Sequence, residues 1–95
     1  MVDSEEISYL YKIIYRQVVN ASEIYRQNIP VDLERKLDAI ITSSQAREYI
    51  GILQQEGLGA CEKVLQKDHP EIDFKQHHIL QLGMYIMNRA KQDKS

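Results

Sequence analysis

Cys61, His69, His77 and His78 fall within an 18-residue stretch, with Asp68 and Asp73 beside them. These are the side chains that bind divalent metals or pass protons. On a helix, Asp73 and His77 stand four apart and share a face, the spacing of a metal pair or an acid–base pair. The rest of the stretch does not continue that pattern. Zinc sites repeat Cys-x-x-Cys or His-x-x-x-His, and the chain has neither. His77 and His78 are neighbours, so on a helix they point about 100° apart and do not converge on one ion. The expectation is polar and packing roles for all four, with no metal site and no cofactor.

Nucleophilic and phosphate chemistry finds less support. Cys61 falls on the apolar side of its segment, where a free thiol packs as a small hydrophobe. The serines lack the strand–turn–helix setting that presents a nucleophile. Gly57-Leu58-Gly59 has no preceding strand and no third glycine, so it is not a phosphate-binding turn. Glu5 and Glu6 sit where a first helical turn favours acidic residues. No reaction is expected of this chain, and it reads as a non-enzyme.

The elements that would carry these residues are helices. Ile7, Tyr11, Ile14, Val18, Ala21 and Tyr25 alternate at spacings of four and three, the rhythm of a seam facing a partner helix. The spacing predicts a first helix over about Ser4 to Gln27, with Asp3 as N-cap and Glu6 completing a capping box. Pro30 suits the first position of a second helix, running to about Ile41. Thr42-Ser43-Ser44 is a capping cluster before a third, about Gln45 to Glu56. Gly57 then acts as a C-cap. A fourth helix spans about Leu58 to Lys67, with one bent helix across Gly57 as the alternative. Asp68-His69-Pro70 makes a turn. A fifth helix follows, from Glu71 or Ile72 to Gln92, with Lys91 and Lys94 at its C-terminal end. Ile79, Leu80, Leu82, Gly83, Met84, Ile86, Met87 and Ala90 cover an arc of about 200° on it, twice what one bundle face requires. That helix is either central or touches a second chain.

Thr42-Ser43-Ser44-Gln45-Ala46-Arg47-Glu48-Tyr49-Ile50, then Leu53, then Gln55-Glu56-Gly57-Leu58, resembles the recognition-helix stretch of winged-helix DNA-binding domains. The resemblance covers residues 42–59. It implies that Ser44, Gln45, Arg47 and Glu48 face a DNA groove and that strands of a wing follow the glycine. Ala60-Cys61-Glu62-Lys63-Val64-Leu65, however, has helical spacing. The 12 basic and 14 acidic residues also leave a net charge of −2, without the cationic excess that drives DNA affinity. A DNA-binding transcriptional regulator is the alternative reading, and nucleic acid is not the expected partner.

The chain's 95 residues suffice for one domain, residues 1–95. With 43% hydrophobic and 27% charged residues, the composition is that of a globular protein. No apolar run approaches the roughly 20 residues of a membrane span. The acidic N-terminus lacks a secretory signal, and a single cysteine suits a reducing cytoplasm. The expected fold is all-α, a compact bundle of four or five helices. The expected function is a small protein-interaction module: a regulator, adaptor or inhibitor, most simply a homodimer. Its candidate interface residues are Tyr9, Ile13 and Tyr15, which lie off the seam, and Met84 and Met87 at one edge of the wide arc. Tyrosine and methionine suit such adaptable contacts.

Overall fold

Helices form in nearly every segment where the sequence is helically periodic, and no strand occurs among residues 4–92, which the computed structural model describes. The α-helices are α1 (Ser4–Asn20), α2 (Glu23–Arg26), α3 (Val31–Ile40), α4 (Ser43–Glu56), α5 (Leu58–Asp68) and α6 (Ile79–Lys91), with a 3-10 turn at Gln76–His78 before α6. The expected N-cap Asp3 and the basic Lys94 near the C-terminal end lie outside the described residues. Among the described residues no helix is long and apolar enough to cross a membrane.

The wide arc of the last helix has its explanation in the packing. α6 is central: α4, α1, α5 and α2 all lie against it. It buries Leu82, Gly83, Met84, Ile86, Met87 and Ala90. Facing them are Ile7, Ile14 and Val18 of α1, Ala46, Tyr49, Ile50 and Leu53 of α4, and Cys61 and Leu65 of α5. These residues form one continuous core.

Local chemistry sets the helix ends. Thr42 Oγ1 accepts from the Gln45 N–H at 3.1 Å, and Gln45 Oε1 accepts from the Thr42 N–H at 3.0 Å. This reciprocal pair fixes the start of α4. Gly57 separates α4 from α5 with φ +93°, a conformation that favours glycine, so there are two helices and not one bent one. The last turn of α3 exposes carbonyls with no helical partner. Arg89 of α6 serves this end, its Nη2 donating to Asp38 O in the last turn at 3.4 Å and its Nε to the O of the C-cap Ile41 at 2.9 Å. A cation at that end also suits the helix dipole. Arg47 does the same for α6, donating from Nη1 to Ala90 O at 3.3 Å.

Three expectations are corrected. The first helix stops at Asn20, not Gln27, and a break at Ala21–Ser22 precedes the short α2. Asn20 and Ser22 compete for backbone hydrogen bonds and favour such breaks. The last helix starts at Ile79, not near residue 71. After Pro70, Ile72 and Phe74 reach the core at a spacing of two, which an extended segment permits and a helix does not. Gln66 Nε2 holds this segment by donating to Ile72 O at 2.7 Å. Finally, α5 occupies the place where a wing would need strands.

Candidate interaction surface

At 100° per residue, Tyr9, Lys12, Ile13, Tyr15, Arg16 and Val19 all fall on the half of α1 opposite Ile14. Since the Ile7–Ile14–Val18 seam is buried against α6, that half faces solvent. Tyr9 is 69% exposed, Tyr15 53%, Val19 51% and Ile13 39%. Ile24 on α2 is exposed as well. Large apolar side chains grouped on one exposed helix face mark a contact surface more often than scattered ones do. Tyr15 is held in place: its ring stacks on Tyr11 at 6.3 Å, with 9° between the planes. Lys91 Nζ lies 5.1 Å from the centre of the Tyr11 ring, a cation–π contact that ties the pair to α6. A shallow depression framed by Glu5, Ser8, Tyr9 and Lys12 opens on the same face.

The five candidate interface residues therefore divide. Tyr9, Ile13 and Tyr15 share this surface. Met87 is 0% exposed and Met84 only 9%, so neither presents a surface. The correction has a plain cause. Their edge of the arc is closed by the helix's own neighbours, and Met84 also borders a groove of about 500 Å³ between α3 and α6. Within that groove Asp38 accepts from Tyr85, and Arg89 is spent on the carbonyls of Asp38 and Ile41. Val19 belongs to the α1 surface and was not anticipated. The signal was its position beside Val18, because two adjacent residues cannot both face one seam.

The histidine–cysteine stretch is dispersed. Cys61 is buried; its Sγ donates to Tyr49 O at 3.6 Å, and burial, with Glu62 nearby, pushes its thiol up to about 11. Asp68 accepts from the Tyr49 hydroxyl at 2.7 Å, and burial together with that bond holds the phenol well above its ordinary value. Asp73 lies before the 3-10 turn and pairs with Lys75 at 2.9 Å, so it does not share a helix face with His77. His69 sits 3.8 Å from Glu71. No group of three metal-ligating side chains converges among the described residues. Arg47, assigned to a groove by the winged-helix resemblance, instead reaches back to α6.

His78 is buried, its ring edge-on to His77 at 4.3 Å, and its Nδ1 has no hydrogen-bond partner among the described residues. Burial lowers its pKa, with His77 and Lys75 adding to the effect and Asp73 opposing it. The folded state thus binds a proton less readily than the unfolded state, whose histidine titrates near about 6.5. Stability from this group is complete above that value and is lost as pH falls through it. We expect the urea midpoint to fall from pH 7.5 to pH 5, and to fall less in His78→Phe. Equal pH slopes in the two proteins would refute this assignment.

The chain matches no protein-family model, no curated protein and no solved structure.

Proposed function

We propose that this protein is a small, non-enzymatic interaction module, a regulator, adaptor or inhibitor working in the cytoplasm through the outer face of α1. One observation carries the reading: Tyr9, Ile13, Tyr15 and Val19 are exposed together on a helix whose other side is fully committed to the core. Burying side chains of this size gives roughly 1.5–3 kcal/mol each. Three or four of them can offset the ~4–15 kcal/mol that association costs in lost motion. Tyrosine adds a hydroxyl that tolerates both the free and the bound state.

The test compares the wild type with Tyr9→Glu/Tyr15→Glu as baits in extract from cells that make the protein. Both positions are exposed, so helicity should be unchanged. The expected result is a protein, a second copy included, retained by the wild type and lost from the variant. Identical capture by both baits overturns the reading.

A further inference from the structure

We propose that the outer face of α1 takes α1 of a second copy, packed antiparallel about a two-fold axis level with the Leu10–Tyr11 peptide. The proposal rests on the interaction reading above and names its partner.

Glu5, Tyr9, Lys12 and Arg16 follow one another at spacings of four, three and four, so they form a single stripe along α1. All four are exposed. Lys12 and Arg16 are like charges four apart, an arrangement that mildly destabilises a lone helix. Glu5 lies seven residues from Lys12, about 10.5 Å along the axis, too far to neutralise it within the helix.

A two-fold axis between residues 10 and 11 sets residue i opposite residue 21 − i. Glu5 then faces Arg16 of the other copy, and Tyr9 faces Lys12. Symmetry repeats both, giving two carboxylate–guanidinium pairs and two ammonium-over-tyrosine contacts. Every member of the stripe meets its complement. Parallel pairing would set Glu5 on Glu5, Lys12 on Lys12 and Arg16 on Arg16. Sliding the antiparallel pair by about one turn sets Lys12 on itself, or on Arg16 with a further shift. Sliding it four residues the other way faces Glu5 with Lys12 but sets Tyr9 against Ser8 and takes Arg16 away from Glu5. This register alone gives all four members of the stripe a complement, and the two-fold axis of an isologous contact repeats each pair. Ile13 on one side, and Tyr15 and Val19 on the other, flank the stripe and are covered as the helices close. One helix pair is a small interface, so the dimer belongs to the weak, reversible class.

The test is sedimentation equilibrium of the full chain, with circular dichroism to verify helicity. The wild type should dimerise in the micromolar range. Glu5→Arg and Arg16→Glu should each weaken it about ten-fold, because each turns two attractive pairs into repulsive ones. Mixing the two single variants should restore association. In the mixed pair the two introduced side chains face each other with opposite charges, and the native Arg16 of one copy meets the native Glu5 of the other. The double variant should also self-associate. A monomeric wild type at hundreds of micromolar overturns the proposal, as does a mixture no tighter than its components. A monomer that still captures a different protein through Tyr9 and Tyr15 would leave the interaction reading standing; loss of that capture would remove both.

Discussion

Met87→Glu should abolish cooperative folding at neutral pH. Met87 is completely buried on the central helix. Glutamate there must either keep its charge in an apolar core or take up a proton at neutral pH, and it forfeits the packing of the thioether. An unpaired buried charge costs several kcal/mol, about 5 or more with the lost packing. A small domain has a total stability of only ~5–15 kcal/mol, and at this size it sits near the lower end. Far-ultraviolet circular dichroism during a thermal scan should show weak helicity and no sharp transition. Met84→Glu should cost less, because Met84 borders the open groove beside α3 and its substituent can turn toward water. If Met87→Glu melted like the wild type and only changed its sedimentation, this face of α6 would be a surface and the bundle as described would be wrong.

That contrast shows where sequence reading stops. The arc of apolar residues on the last helix was legible, and so was the inference that it must be central or shared with another chain. Nothing in the residues distinguishes the two, since Met84 and Met87 have the same chemistry in a core as at an interface. The decision comes from α4, α1, α5 and α2 closing round the helix, and those are long-range contacts. On α1 the situation is reversed. The seam fixes which side is buried, so Tyr9, Ile13 and Tyr15 could be placed outside it from spacing alone. The break after Asn20 was hidden because Ala21 and Tyr25 continue the seam's rhythm, and both remain half-buried beyond the break. The capping cluster at Thr42-Ser43-Ser44 and the stop at Gly57 were legible because each depends on a few neighbouring atoms, whereas the choice of Thr42 as the cap, with the helix opening at Ser43, was not. The segment from Pro70 to Lys75 was not: Ile72 satisfies a helical pattern as well as an extended one, and the bond from Gln66 that selects the extended form spans a turn. The exposed stripe of Glu5, Tyr9, Lys12 and Arg16 is plain in the sequence, yet it acquires meaning only once the opposite side of α1 is seen to be occupied.

Gly83 tests how closely the helices approach at the centre. It lies buried in the middle of α6, where glycine costs about 1 kcal/mol relative to alanine in helix propensity alone. A Cβ added there would stand 2.6 Å from Leu58 Cδ2 and 3.5 Å from Ile14 Cδ1. The nearer atom is the end of a flexible side chain, so Leu58 can turn aside for a methyl group. Gly83→Ala should therefore shift stability by less than ~1 kcal/mol, the gain in propensity and the repacking of Leu58 nearly cancelling. Gly83→Leu leaves no such escape. Its three further carbons must displace both Leu58 at the start of α5 and Ile14 in the α1 seam, at a cost of about 3 kcal/mol or more. Urea denaturation of both variants measures the difference. A leucine tolerated as well as alanine would mean that α1 and α5 do not meet α6 at this level. The seam that turns Tyr9 and Tyr15 outward would then lose its anchor.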